Sequence, residues 1–369
     1  MDQQFDVSTI GDLKYMTMRD AKVLPGALTS SNGTVRGGIA PVDGSPVFMN
    51  QLRQVNGEVV SLNRFRHGDP TGFGRKGELP AYFSGTYIYL GPLHRHFGHF
   101  VTESMTRIWY SLLATSPDLE LVVLPEVDSI ADRDSFCFDN LQSWQKDIFR
   151  YFGTERLHFV RSMSIFENLI VPQQGGILFS ESHSETYLGI LTARRIEMLG
   201  KAAVKAKVFY QRPENVPTGK VAGEEYIATF LSTCGYLAVF PEKLSGAEQI
   251  QIAATASKAI STQGSALHAF NLLGRNGVDV LVLQRSATSA LKAFSDTVEP
   301  YVNSMTIHEP AVNLPGENHS SGLQILDVEV FLIQLTEFDE DIDPKLFDYA
   351  AFYGAVLKDM QLFLQSVPK

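Results

Sequence analysis

The segment from Lys207 to Leu283 most constrains what this chain can fold into, because short apolar runs alternate there with helical patterns in a β-α-β-α-β-α-β series. Residues 208–211 read as a strand, 224–234 as a helix closed by Gly235, 236–240 as a strand, and 246–257 as a helix. The series ends with a buried strand at 259–262, a small-residue turn at Gln263-Gly264-Ser265, a helix starting near Ala266, and a strand at 278–283. Apolar strands joined by helices pair in parallel with both faces covered, and ligands of such sheets bind beyond the carboxyl ends of the strands. Arg212 and Gly264-Ser265 both fall at such ends. A guanidinium beside a helix N-terminus can hold a diphosphate, although Gly-Ser-Ala also suits a plain strand-to-helix connection.

At 369 residues the chain is long enough for two separate cores. Its net charge of −10 argues against a dedicated binder of nucleic acid or anionic membranes, so an anionic ligand must meet a local basic patch. Cys137 and Cys234 are too few for a disulfide framework or a cysteine-rich zinc site and fit a reduced compartment. The N-terminal stretch lacks the basic flank and apolar run of a secretory signal, and no window has the length of a membrane span. The expectation is a soluble, cytoplasmic protein.

Residues 1–90 are rich in Gly, Ser and Pro and predict short strands at 34–38, 46–50, 58–62 and 82–90. Between them, 64–76 gathers Arg64, Arg66, His67, Arg75 and Lys76 around glycines, either as a clamp for an acidic or sugar substrate or as an exposed basic loop. Residues 94–113 predict an amphipathic helix from His99 on, with Phe100, Val101, Met105, Ile108, Trp109 and Leu112 on its packed side. His99, Glu103 and Arg107 recur every four residues along its polar stripe. A carboxylate one turn from an imidazole can orient a catalytic base; the same trio also suits a solvent-facing charge ladder. His94 and His96 crowd beside it, and a metal site on these histidines is a third reading, ranked last because no acidic or cysteine partner stands at metal-ligand spacing. Strands at 119–125 and 168–172, with a helix at 138–152 between them, extend the α/β pattern into the first half, and the domain boundary falls near 190–205.

Four pieces of this sequence, in order, resemble the glycosyltransferases of family 61, whose bacterial members are often linked to capsule or surface polysaccharide. They are Phe97-Gly98-His99-Phe100 with Glu103, Arg107 and Trp109; the strand ending in Arg212; Pro241-Glu242-Lys243-Leu244 followed by Glu248-Gln249-Ile250; and Gly264-Ser265-Ala266-Leu267 with Asn271. Three departures stand out. Gln263 replaces a histidine that many relatives carry, with His268 one turn on; Lys220, Gly223 and Glu224 stand for a basic-Asn-Glu step; and Gln284 replaces a glutamate.

The resemblance implies a GT-B-like α/β fold of two facing Rossmann-like domains. Residues 1–195 would form the acceptor side, 196–320 the nucleotide-sugar side, and 321–369 a tail whose helix crosses back onto the N-terminal half. It also implies inverting, metal-independent transfer of a hexosyl or pentosyl group from a nucleotide-diphosphate sugar to a glycan hydroxyl, with no cofactor. His99 and Glu103 would supply the base. Arg212, Gly264, Ser265, Ala266, His268 and Glu248 would serve the donor, and His96 and Arg107 would contact the acceptor or support the site, with no metal ligand among them. A nucleotide-sugar epimerase and a non-catalytic glycan-binding protein are the alternatives. Peripheral membrane association and homo-oligomers are compatible with either reading. Asp339-Glu340-Asp341 reads as a solvated acidic turn rather than a metal motif.

Overall fold

The computed structural model describes residues 5–25, 38–39, 54–55, 58–59, 79–114, 116, 118–127, 130–178, 183–200, 205–212, 219–285, 288–316 and 322–366. The basic loop at 64–76 and the strands expected at 34–38, 46–50 and 58–62 lie wholly or mostly outside these residues. The chain divides into two compact units, Met1–Arg194 and Arg195–Lys369.

The first unit is built on one sheet containing β1 (Phe5–Ile10), β2 (Leu13–Leu24), β3 (Gly38–Ile39), β6 (Ala81–Leu93), β7 (Glu120–Pro125), β8 (Leu157–Phe159) and β9 (Ser164–Pro172); Gln54–Val55 and Glu58–Val59 (β4 and β5) pair separately. Its main order is β1-β2-β9-β6-β7-β8, with β3 on β2. The strands β9, β6, β7 and β8 run parallel, whereas β2 joins β9 antiparallel, from Tyr15 opposite Pro172 to Val23 opposite Ser164. The parallel strands match the α/β layer expected for this half, and β1 and β2 make the sheet mixed. The strand-rich start adds an antiparallel hairpin to a parallel α/β layer because β1 and β2 are separated by only a two-residue turn. Met16, Met18, Val23, Tyr89, Val122, Leu124, Phe166 and Val171 fill its core.

Near β6 the chain leaves as Phe97–His99 (α1), passes through a π-helical turn, Phe100–Ser104, and a 3-10 turn, Met105–Arg107, and ends as Trp109–Leu113 (α2). The helices Ile130–Ser135 (α3) and Ser143–Phe152 (α4) lead to β8, and Glu185–Leu199 (α5) carries the chain across the unit boundary.

The second unit holds five parallel strands in the order β12-β10-β13-β14-β15, namely Tyr236–Val239, Ala206–Tyr210, Ala256–Thr262, Asp279–Leu283 and Ser304–His308. In chain order this is 2-1-3-4-5, a doubly wound sheet whose direction of progression reverses between β10 and β13. The run Val280–Leu283 is wholly buried, as expected where a parallel sheet is covered on both faces. The helices Glu224–Thr233 (α6), Gly246–Thr255 (α7) and Thr288–Val298 (α8) form connections.

The C-terminal segment is not a tail apart. β17 (Leu323–Ile325) pairs with β11 (Lys220–Val221) and β16 (Val312–Leu314), followed by α9 (Val328–Phe338). The last helix, α10 (Tyr349–Ser366), expected to cross back onto the N-terminal half, belongs to the second unit. There it buries Phe352, Val356 and Phe363 in the same core as Phe209, Ile227, Leu231 and Leu281. Gly223 makes this close approach feasible: its φ is +79°, and an added Cβ would meet the Phe352 ring at 2.8 Å.

Candidate functional site

The first cluster grows from the ends of two neighbouring parallel strands. β6 and β7 are in register from Tyr87 opposite Glu120 to Leu93 opposite Pro125, so the residues that follow, His94 and Glu126, emerge side by side. The His94 ring sits 3.8 Å from Glu126 through Nδ1 and 3.8 Å from Glu103 through Nε2. On the other oxygen of Glu103, His99 Nδ1 approaches to 2.5 Å. The His99 ring also lies 5.3 Å from that of the exposed His96 and 5.6 Å from that of His94, centroid to centroid. Glu103 is 6% exposed and His99 26% exposed as side chains, so the carboxylate is the inner and the imidazole the outer member of the pair. A buried carboxylate against one ring nitrogen fixes the tautomer and orientation of the imidazole, as a general base needs.

The polar stripe does not face solvent. Thr102, Glu103, Ser104, Thr106 and Arg107 are all buried. The succession of α, π and 3-10 turns breaks the single 3.6-residue phase, so of the two readings of this trio the solvent-facing ladder does not hold. Local hydroxyls support the irregular turns: Thr102 donates to Gly98 O at 2.8 Å and Thr106 to Glu103 O at 3.0 Å. Arg107 is 3% exposed, and its Nε donates to Pro172 O at 3.1 Å, tying this segment to β9. Burial pulls its guanidinium down to about 10 against the opposing effects of Tyr89 and Glu103. It is placed as an internal strut rather than an acceptor contact.

Glu126 is held by the Arg95 N–H at 2.9 Å. Burial pushes its carboxyl up, but the nearby His94 ring, 3.8 Å away, and the Arg95 N–H outweigh that and keep it below the ordinary range. Arg95 and Glu126 line a cavity of about 240 Å³ together with Asp132, Phe136, Asn140 and Gln142. Glu126 was not legible as a site residue, and its signal is tertiary: it requires knowing that β6 and β7 are neighbours. Among the described residues no three His, Cys, Asp or Glu side chains converge as metal ligands.

The second cluster lies where the other unit's sheet reverses direction. Arg212 follows β10, and Gln263-Gly264 follow β13 at the adjacent strand end. Gly264 has φ 179°, extended backbone open to any residue, and the segment after it, Ser265–Leu272, is 3-10 rather than α-helical. Its first internal bond runs from Leu267 N to Gly264 O at 3.4 Å, which places the Ser265 and Ala266 N–H groups ahead of the ladder. Gly264, Ser265 and Ala266 are partly exposed, so the turn is reachable, though without a long helix dipole behind it.

Gln263 is structural here. Its N–H donates to Leu283 O at 2.9 Å and its Oε1 accepts from Arg285 N at 3.1 Å, locking β13 to β14. His268 is buried, with its ring 5.5 Å from that of Phe294. Glu248 closes a capping box: its Oε2 accepts from Ser245 N and Oγ at 2.8 Å each, and hydrogen bonds from the Ser245 backbone and side chain lower its pKa.

Glu224, the first residue of α6, is 2% exposed and accepts from Arg212 N at 2.9 Å. Burial pushes its carboxyl up to about 7, against the pull of the Arg212 N–H and of the Arg212 and Lys220 charges. Lys220 itself is held by Asp359 of α10 at 2.6 Å, whose other oxygen accepts from Gly223 N at 2.9 Å. The acidic turn at 339–341 is likewise not simply solvated. Asp339 is 1% exposed and bridges Lys207 at 2.8 Å and the Tyr236 hydroxyl at 2.8 Å.

Residues 97–276 match the family model described as Glycosyltransferase 61, and this match supports a glycosyltransferase of that family. No curated protein matches the chain. The matched stretch runs from the turn carrying His99 and Glu103 through Arg212 and Glu224 to the turn at Gly264.

Proposed function

We propose that this chain is an inverting, metal-independent glycosyltransferase of the GT-B type, moving a hexosyl or pentosyl group from a nucleotide-diphosphate sugar to a hydroxyl of a glycan acceptor. Polysaccharide biosynthesis in a bacterial cytoplasm, of the capsule or surface type, is the setting this reading assigns it. The observation that carries it is the family match over 97–276, which takes in His99, Glu103, Arg212 and Gly264.

His99 is assigned as the base. Glu103 meets its Nδ1 and is itself enclosed, so Nε2, on the opposite side of the ring, accepts the acceptor's hydroxyl proton while the oxygen attacks the anomeric carbon. The bond from that carbon to the donor's diphosphate oxygen breaks, and the departing charge is met by Arg212 and the N–H groups of Ser265 and Ala266. Glu103 is the orienting group. His268 and Glu248 drop out of the direct contacts proposed, because one packs on Phe294 and the other caps α7.

The test is a thermal-shift and hydrolysis screen of the wild type and Arg212→Ala against nucleoside diphosphates and nucleotide sugars, with and without EDTA. A ligand that binds only the folded state raises the melting temperature according to its concentration over its Kd. The expected outcome is one nucleotide class that stabilises the wild type regardless of EDTA and loses its effect in Arg212→Ala. A nucleotide sugar converted to its epimer with no acceptor present would overturn transfer in favour of epimerisation. Glycan binding with no response to any nucleotide would leave a binding protein.

A further inference from the structure

The cavity beside the first cluster is built from the same strand ends as that cluster. β6 and β7 run parallel, and Arg95 and Glu126, which follow them, line the cavity at the carboxyl ends where ligands of parallel sheets bind. Helix α3 adds Asp132, and the segment from there to α4 adds Phe136, Asn140 and Gln142. This lining is fixed to the segment that carries His99. Gln145 Nε2 donates to His94 O at 3.0 Å and Gln142 Nε2 to Arg95 O at 3.3 Å, so the start of α4 is tied to the chain between β6 and α1. His94 in turn stands 3.8 Å from both Glu126 and Glu103. One imidazole therefore separates the cavity from the carboxylate that meets His99.

The chemistry of the lining favours hydroxyls. Polar side chains outnumber apolar ones there, the reverse of the usual pocket for a drug-like ligand. Glu126 accepts from the Arg95 N–H at 2.9 Å, and a carboxylate has about four acceptor sites, so it can take a ligand's O–H as well. Asn140 complements it: its Oδ1 accepts from Cys137 N at 2.8 Å, while its Nδ2 carries two donors. A carboxylate that accepts and an amide that donates match neighbouring hydroxyls of a sugar ring, each of which can do both, and Phe136 supplies an apolar surface for the ring's C–H groups. At about 240 Å³ the cavity is smaller than the roughly 300 to 1,000 Å³ of sites for drug-sized ligands, which suits one monosaccharide and not an oligosaccharide. Among the described residues its charged lining is Glu126 and Asp132 against Arg95, a surplus of negative charge that opposes a further carboxylate on the ligand.

We propose that this cavity seats one neutral sugar residue of the acceptor, and that Glu126 is the specificity residue, taking one of its hydroxyls and turning away acidic sugars such as uronates. That the sugar is an acceptor rests on the transferase reading, whereas its seating and its neutrality rest on the cavity. A neutral residue held there lies one side chain from His99 and Glu103, and a uronate would set its carboxylate against those of Glu126 and Asp132.

Saturation-transfer NMR titrations of the full chain with methyl glucoside, methyl galactoside, methyl mannoside and methyl glucuronide test it. At least one neutral glycoside is expected to bind the wild type, and the glucuronide about tenfold more weakly. Glu126→Gln keeps an oxygen for the Arg95 N–H but loses the charge. It is expected to weaken the neutral glycoside by about five- to tenfold, the loss of a charge-assisted contact, and to narrow the gap to the glucuronide. Ser135→Trp, at the exposed end of α3, fills the cavity and should abolish binding. No binding of any neutral glycoside to the wild type overturns the inference, and so does binding that both variants leave unchanged, which would put the sugar elsewhere. Equal binding of neutral glycoside and glucuronide overturns the selection by charge. Loss in Ser135→Trp with full affinity in Glu126→Gln keeps the site and removes the role of Glu126. Should Glu126→Gln fail to fold, Asn140→Asp decides, since it keeps the oxygen that meets Cys137 N and removes the amide donors; unchanged affinity there would refute the seating. If neutral glycosides bind as expected while no nucleotide sugar is bound or turned over, the transferase reading fails and the cavity stands as a glycan-binding site.

Discussion

In the proposed reaction His99 and Glu103 divide the work by depth: the enclosed carboxylate would orient and the more exposed imidazole would meet substrate. His99→Ala is therefore expected to lower kcat by about 100- to 10,000-fold, the usual range for removing a general base, with donor affinity unchanged. Glu103→Gln should keep the fold and lower kcat by a smaller factor; full activity in that variant would reduce the carboxylate to scaffolding. Glu224 makes a different statement, about stability. Its folded carboxyl sits at about 7 against an ordinary value of 4.5, so the folded protein binds this proton more tightly than the unfolded chain. Its stabilising contribution is complete below about pH 4.5 and is lost as pH rises through 7, a swing on the order of 3 kcal/mol. Urea titrations from pH 5 to 8 should show the wild type losing stability over that window and Glu224→Gln losing distinctly less; parallel curves would contradict the burial of this charge.

Particular elements are held by single polar anchors. The N-terminus of α5 is capped from across the unit by Asp12, at the turn between β1 and β2: its carboxylate accepts from Ser184 Oγ at 2.6 Å, Glu185 N at 3.1 Å and Thr186 N at 3.2 Å. Burial opposes the charge, but these hydrogen bonds outweigh it and bring the carboxyl down to about 2. Asp12→Ala should cost about 1 kcal/mol and speed amide exchange in the first turn of α5. The anchor of α10 lies deeper. Asp359 joins Lys220 and the N–H of Gly223, so Asp359→Asn leaves a buried ammonium without its counter-charge, at about 3 to 5 kcal/mol. Hydrogen exchange should show α10 and β11 loosening together in that variant, and an unchanged α10 would rule out this tether. The turns between α1 and α2 owe their inward polar stripe to mixed helical geometry. Periodicity alone, which assumes one pitch throughout, therefore put Glu103 and Arg107 on the wrong side.

The whole chain has two units with separate cores, and the proposed donor contacts all lie in the second. Calorimetry should resolve two transitions, only one of which moves upward with a bound nucleoside diphosphate. A single transition shifted as a whole would mean that the units unfold as one. Much of the second unit is legible from residues alone, because the apolar runs of β10, β13 and β14 are strands largely covered on both faces, and α6 and α7 carry their own end signals. Gly235 after α6 and the Ser245–Glu248 box at α7 are local signals of that kind. The same logic puts Arg212 and Gly264 at strand ends, where the structure has them. What local pattern does not carry is which strands are neighbours. Strand order joins β10 to β13 and β13 to β14, bringing Arg285 to Gln263, and the register of β6 with β7 sets Glu126 beside His94. It also draws 323–325 into a sheet with 220–221, so the supposed tail became part of the core. Side-chain chemistry and periodicity are short-range properties written along the chain. Burial of a particular carboxylate, and the charges that surround it, depend on residues more than a hundred positions away, as Asp359 and Lys220 do, and only the packed structure decides them.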